Sequence, residues 1–389
     1  MKILTADIGT GTQDIFLYDS RLAIENGYKL ILPSPTLIVH RHLREATLRR
    51  EAVLLTGVTM GGGPSAWAAE AHVRAGLPLF AIPEAARSFN DDLKVVQDMG
   101  IQVVSEDEAA VLPDFIRRIE LIDFDFSAIA RAFGLFGVSL ADVDAIAVAV
   151  FDHGAAPAQV SDRQFRFGYL DSRIRAENRL SAFAYRAEDI PPMMTRLQAV
   201  VDSVKGVDAP LVMMDTAPAA ILGATFDSKV ATPSRVLIAN VGNFHTLAFR
   251  LGQSGIEGVF EHHTGFLDLP KLEMLLRRLA DGTLKHADVF NDDGHGALIY
   301  EPAPLPLGEG VFDVAVTGPR RSLFAHSPSS PPSQSPLIPY FPAPFGDMMI
   351  VGCFGLLSAV ADVLPELAEP IRASLRNAGN SNAAPWEVR

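Results

Sequence analysis

The chain has 389 residues, 48% of them apolar, with a formal net charge of −13 and a single cysteine. That length supplies apolar material for two ordinary cores, while the acidic balance argues against binding a nucleic-acid backbone or an anionic membrane surface. One cysteine excludes an internal disulfide, a cysteine-rich zinc site and an iron–sulfur cluster held by this chain alone.

The N-terminus carries one Lys and then a polar, Gly-rich loop, which does not read as a secretory signal. No apolar run reaches the roughly 18 to 20 residues of a membrane span, so a cytoplasmic protein is expected. "ILTADIGTGTQDIFLYD" (3–19) predicts a strand at 2–8, a turn at 9–13 and a strand at 14–19, with a third strand near 28–39. Asp7 ends the first strand, and Gly9, Thr10, Gly11, Thr12 and Gln13 form the turn. Small residues there allow backbone N–H groups to approach an anion, although a plain tight hairpin has the same signature.

"EAVLLTGVTMGGGPSAWAAEAHVRAG" (51–76) predicts a strand, a glycine loop and a helix opened by Pro64. Gly61, Gly62 and Gly63 stand where the free N–H groups of a helix start suit a substrate phosphate or carboxylate. The loop lacks the lysine of a P-loop and the GxGxxG spacing, and a structural turn explains it equally well. "DVDAIAVAVFDHG" (142–154) predicts a buried strand whose polar end presents Asp152 and His153. Strand ends of this kind carry ligand contacts in α/β folds. Asp152 is a candidate general base, and His153 would orient it or bind substrate. "SDRQFRF" (161–167) offers Arg163 and Arg166 to an anionic substrate, with surface ion pairing as the rival reading.

"MMDTAPAAILGA" (213–224) has small residues, Ala219, Ala220 and Gly223, that permit close helix packing. "RVLIANVGNFHTLAFRLGQSGIEGVFEHH" (235–263) then repeats the opening meander, with strands at 235–241, 244–251 and 256–262. Its turn holds Gly242 and Asn243, preceded by Asn240 and followed by His245 and Thr246. "LDLPKLEMLLRRLADG" (267–282) reads as a helix started by Asp268 and stopped by Gly282, and "VFDVAVTGPRR" (311–321) as a buried strand running into a turn at Gly318. The histidines of "EHH" (261–263) and "NDDGHG" (291–296) match no standard transition-metal spacing. Residues 327–344 are too Pro- and Ser-rich for a strand or helix interior and are expected as a surface loop. Cys353 lies in "MMIVGCFGLL", where a buried inert thiol is expected. The tail 377–389 is expected to fray.

Five segments in order, "ADIGTGTQD", "MMDTAPAAILGA", "ANVGNFHTLAF", "VAVTGPRRSL" and "GDMMIVGCFGLLSA", resemble the actin-like ATPase superfamily of sugar kinases, heat-shock chaperone ATPases and acetate kinase. The resemblance implies a first phosphate loop, a first connecting helix, a second phosphate loop, an adenosine segment and a second connecting helix. It implies two actin-like (ribonuclease H-like) α/β domains with mixed five-stranded sheets facing a central cleft. The first would span 1–210 with an α/β insertion near 57–140, and the second 211–376. ATP and Mg²⁺ are the implied cofactors. Asp7 would hold the metal, and the backbone of 9–12 and 242–243 would hold phosphates with hydroxyl help from Thr10, Thr12 and Thr246. Gly318 would pass close to the adenosine, and Asp152 or Asp215 would act as base or water-orienter. Three departures stand out: Asn240 where the second loop usually begins with Asp, Asp215 where the connecting helix often carries Glu, and a lone Gly318 followed by proline.

The implied function is Mg-dependent phosphotransfer to a small molecule, or ATP-driven domain closure. The rival is a non-catalytic module that binds a metabolite or a partner and has lost turnover. A homo-oligomer or a protein partner is left open. "DIGTGTQD", "TMGGGPSAWA", "FDHG" with "SDRQFRF", and "NVGNFHT" are similar to a family labelled as pyruvate formate-lyase activating enzymes. That label implies a radical enzyme with a cluster on three cysteines, which one cysteine cannot hold. An ATPase activator that bridges a cluster with cysteines fails on the same count.

Overall fold

Lys2–Ile8 is buried along both faces, as an apolar run at the centre of a sheet must be. In the computed structural model, which describes residues 1–157, 159–204, 207–325 and 336–376, this strand pairs antiparallel with Thr12–Asp19 and parallel with Ala145–Val150. The full sheet runs, in spatial order, Tyr28–Pro33, Thr12–Asp19, Lys2–Ile8, Ala145–Val150, Leu211–Asp215 and Ala184–Arg186. Five of these strands are the expected mixed sheet; the sixth is a three-residue antiparallel edge strand. The third strand stops at Pro33 rather than running on to 39. Ser34 accepts a hydrogen bond from the Leu37 N–H, and Pro35 opens the helix Pro35–Arg49.

A second six-stranded sheet runs Gly296–Ile299, Gly255–His263, His245–Gly252, Val236–Val241, Val314–Thr317 and Pro339–Tyr340. Its last five strands repeat the order of the first five of the first sheet, and its extra antiparallel strand, Gly296–Ile299, lies at the meander edge instead of the opposite one. In each sheet an antiparallel meander precedes a parallel crossover, the arrangement that the actin-like resemblance implies. Pro339–Tyr340 corrects the expectation of a surface loop over 327–344. The pair adds a parallel edge strand to Val314 and Ala315, where a missing N–H is tolerated, and Leu337 is buried beside it. Residues 327–335 of that stretch, and the tail 377–389, lie outside the described residues. A third, all-parallel sheet, Gln102–Val103, Leu79–Ala81, Val53–Gly57 and Arg117–Leu121, has its own apolar core, which starts ahead of the expected insertion near 57–140 with Val39, Leu43 and Val53.

Leu211–Asp215, expected to open the second domain, hydrogen-bonds in the first sheet. The chain also comes back to that sheet at its end, because Phe354, Leu357 and Val360 of the helix Val351–Val363 pack with Ile3, Phe16 and Ala147. This helix crosses Thr216–Ala224 at backbone contact. A Cβ on Gly355 would lie 1.9 Å from the Ala219 carbonyl oxygen, and one on Gly223 would lie 1.8 Å from that of Val351. Cys353 sits on the same helix, fully buried, with its thiol pushed well above its ordinary pKa by burial. Among the described residues no single helix is long and apolar enough to cross a membrane.

Candidate functional site

The two Gly hairpins close in the same way. Gly9 donates its N–H to the Thr12 carbonyl at 2.9 Å, and Gly242 donates to the His245 carbonyl at 2.9 Å. Strand register then places Asp7 opposite Asp14 in the first hairpin and Asn240 opposite Leu247 in the second. Asn240 therefore stands in the place of Asp7. The turns approach each other so closely that a Cβ on Gly11 would lie 2.9 Å from the Asn243 Nδ2. Both line one cavity of about 380 Å³, together with Gly318, the glycine loop 61–63 and the strand end 151–154. Gly318, at φ +96°, lies against the end of the second hairpin's first strand: a Cβ there would meet the Val241 carbonyl oxygen at 2.5 Å.

Asp7 accepts a 2.5 Å hydrogen bond from the Thr216 hydroxyl at the start of the first connecting helix. Burial pushes its carboxyl up to about 7; the Thr216 bond works against that rise, and Asp14 and Asp215 add to it. Asp14 is pushed up to about 6, again chiefly by burial, and its Oδ1 has no hydrogen-bond partner among the described residues. Asp14 was missed as a site residue in the sequence, although it stands in the quoted motif. Only the antiparallel register across the turn reveals that it faces Asp7.

Alternation along the strands decides which neighbours reach the cleft. Thr10 and Thr12 line it, but Gln13 points to the other face and donates to the Pro33 carbonyl at 3.0 Å. His245 lines the cleft, whereas Thr246 is buried against the Thr264 hydroxyl at 2.9 Å. Neither Gln13 nor Thr246 is in position to donate to a phosphate.

Four further expectations are corrected by where the side chains go. Asp152 accepts from the N–H groups of Gly154 (2.8 Å) and Leu197 (3.0 Å), so it stabilises the start of the helix Thr195–Ser203 instead of standing free as a base. Asp215 caps the first connecting helix through the Ala217 N–H and takes a 2.7 Å ion pair from Arg166. Arg166 and Arg163 lie on a helix, Asp162–Ala176. Arg166 is fully buried, bonded to Asp215, to Glu261 at 2.8 Å and to the Asp152 carbonyl, with its guanidinium 3.9 Å above the Phe151 ring. Arg163 donates to the carbonyls of Phe290 and Gly294. No part of either arginine lines the cavity.

The glycine loop does line the cleft, but part of its donor capacity is already used. The Gly61 N–H donates to Asp123, whose carboxylate is gripped by Arg196, and the Ser65 N–H donates to the Thr36 hydroxyl. Asp123 and Arg196 were not legible as cleft residues.

His153 and His245 meet at the cleft wall, with ring centroids 5.2 Å apart and Phe151 stacked on His245 at 4.1 Å. The structure brings His295 of "NDDGHG" beside them, 5.7 Å from His153 and 5.0 Å from His245. Burial holds His153 well below its ordinary pKa and His295 at about 3. Both are neutral imidazoles at neutral pH.

Among solved structures, the chain is similar to an activator of 2-hydroxyisocaproyl-CoA dehydratase from Clostridium difficile with bound ADPNP. The identity is 8% and the TM-score 0.32, over 98% of this chain and 100% of that one. It is also similar to a ROK hexokinase from Thermus thermophilus, at 10% identity and a TM-score of 0.23, covering 66% of this chain and 48% of the hexokinase. An exopolyphosphatase-like protein matches at 8% identity and a TM-score of 0.24, over 75% of this chain and 61% of its own. The chain thus spans about half the length of the hexokinase it matches. No curated protein matches it. A family model does, over residues 60–323, which include the glycine loop, the Asp152 strand end and the whole second hairpin. The chain belongs to the family described as "Putative pyruvate format-lyase activating enzyme (DUF1786)".

Proposed function

We propose that the cleft binds ATP with Mg²⁺ between the two hairpins, and that the bound nucleotide holds the two six-stranded sheets together across it. The observation that carries this reading is the pair of equivalent Gly turns, at Gly9–Thr12 and Gly242–His245, facing each other across one cavity. Backbone N–H groups at such turns suit phosphate oxygens. The residues present fit a magnesium ion. Asp7 and Asp14 face each other, and among the described residues no cationic side chain bonds either and the buried Asp14 Oδ1 has no partner. Magnesium favours one or two carboxylates plus phosphate oxygens. Asp7 and Asp14 would hold it, and it would supply neutralisation of phosphate charge.

The chain's own residues point toward nucleotide-driven closure more than toward phosphotransfer through a carboxylate base. Asp152 and Asp215 are committed to backbone N–H groups and to Arg166, and Asn240 brings no charge to the second hairpin. Thr216 links Asp7 to the first connecting helix, whose crossing with the second leaves no room for a side chain. A change at the phosphates is therefore passed directly to the helices joining the sheets.

A thermal shift measured with MgATP, with ATP plus chelator, and with Mg²⁺ alone tests the reading. MgATP should raise the melting temperature in the wild type and leave Asp7→Ala unmoved. No shift in the wild type contradicts nucleotide binding. ADP release that appears only with one member of a metabolite panel would favour a small-molecule kinase over closure.

A further inference from the structure

Three histidines from separate segments converge behind the second hairpin: His153 at a strand end of the first sheet, His245 at the start of a strand of the second, and His295 just before that sheet's edge strand Gly296–Ile299. They offer three ring nitrogens that all lie within 4.8 Å of one another. Glu261 stands behind them, its Oε1 3.0 Å from His245 Nδ1 and 3.6 Å from His295 Nε2. Arg166 fixes that carboxylate through two hydrogen bonds.

His295 is completely buried, and neither Nδ1 nor Nε2 has a hydrogen-bond partner among the described residues. His245 Nδ1 is also unpartnered, since its approach to Glu261 lacks hydrogen-bond geometry. A buried polar group left unmatched costs about 1–3 kcal/mol. Ring packing against Phe151 accounts for the proximity of His153 and His245. It does not account for two bare nitrogens on the most deeply buried ring.

We propose that His153, His245 and His295 form a binding site for a divalent first-row transition-metal ion of the zinc type. Imidazole nitrogens suit such ions, whereas magnesium takes oxygen ligands. The ion would take one nitrogen of each ring, and so one of the two orphaned nitrogens of His295, and the fixed Glu261 carboxylate would balance its charge. His153 and His245 also line the cleft, so a three-histidine ion would keep an open position toward it, as sites that bind a water or a substrate oxygen do. This site is separate from the Asp7–Asp14 pair and does not depend on nucleotide binding.

The test uses the full chain, stripped with chelator and titrated with Co²⁺ in excess Mg²⁺ without nucleotide. The visible ligand-field bands of bound cobalt should saturate at one equivalent per chain and be displaced by Zn²⁺. His153→Phe, at the half-buried cleft wall, and His295→Gln should each weaken uptake by about tenfold or more, while Asp7→Asn leaves it unchanged. Circular dichroism checks each variant's fold, and if His295→Gln does not fold then His153→Phe alone decides. Absence of cobalt bands in the wild type, unchanged uptake in folded His153→Phe, or loss of the bands in Asp7→Asn would each overturn the proposal.

Discussion

Arg166→Met removes the cation that two buried carboxylates share. In the wild type the guanidinium bonds Glu261, which is fully buried, and Asp215, whose side chain is 7% exposed. Breaking a buried ion pair by deleting one partner costs about 3–5 kcal/mol, because a charge is left in a medium that does not solvate it. Two carboxylates lose their partner here, while methionine retains the packing beneath Phe151, so the upper part of that range is expected at neutral pH. The pH dependence follows from Glu261, whose ordinary value of 4.5 is lowered in the fold against the cost of its burial, most strongly by Arg166. A group with a depressed folded pKa stabilises above its unfolded value and loses that contribution as the pH falls. Without Arg166 the desolvation of this carboxyl is opposed only by the weaker pull of His295 and His245, and it takes up a proton more readily. The gap between variant and wild type should therefore narrow from about pH 7.5 to about pH 5. Urea denaturation at both pH values measures it. A loss below about 1 kcal/mol at the higher pH, in the range of an exposed pair, would refute the assignment of Arg166 as the internal counter-ion.

Asp7→Asn should stabilise the nucleotide-free protein at about pH 8, by about 1–2 kcal/mol. The full rise from 3.8 to about 7 corresponds to about 4 kcal/mol, and water in the cleft offsets part of it. Because the folded pKa is raised, the wild type keeps its full stability at low pH and loses it as the pH climbs through about 7. A variant less stable than wild type at both ends of that range contradicts the placement of Asp7. Gly355→Val should cost about 3 kcal/mol or more, or prevent folding, since its Cβ would lie 1.9 Å from the Ala219 carbonyl oxygen; differential scanning calorimetry reads this directly. Gln13→Ala and Thr246→Val, whose side chains face away from the cleft, should leave the MgATP-induced melting shift intact, whereas Asp14→Asn should reduce it.

What the sequence displayed clearly was local. The Gly turns, Asp268 as a helix cap and the meander repeated at 235–263 all depend on neighbours a few residues apart, and each appears in the structure, although the first strands run one residue past Asp7 and Asn240, to Ile8 and Val241. What it hid depends on partners far along the chain. Asp152 and Asp215 had the look of strand-end catalytic groups, but helix starts need acceptors for their free N–H groups, and both aspartates are used for that. Arg163 and Arg166 were read as open to an anionic substrate or a surface ion pair, but "SDRQFRF" begins a capped helix, with Ser161 accepting from the Gln164 N–H, and the partners of both arginines lie far along the chain. The histidine cluster escaped because linear spacing detects ligands on one turn or one helix. His153, His245 and His295 are joined only when two sheets meet.

The central claim is that the two hairpins clamp one nucleotide around a cation held by Asp7 and Asp14. Isothermal titration of a non-hydrolysable ATP analogue in Mg²⁺ tests it most directly. The account predicts a single site per chain in the wild type, lost in Asp7→Ala and lost again when Mg²⁺ is removed. Heat from the Asp7→Ala protein equal to that of the wild type, or none from the wild type, would contradict it.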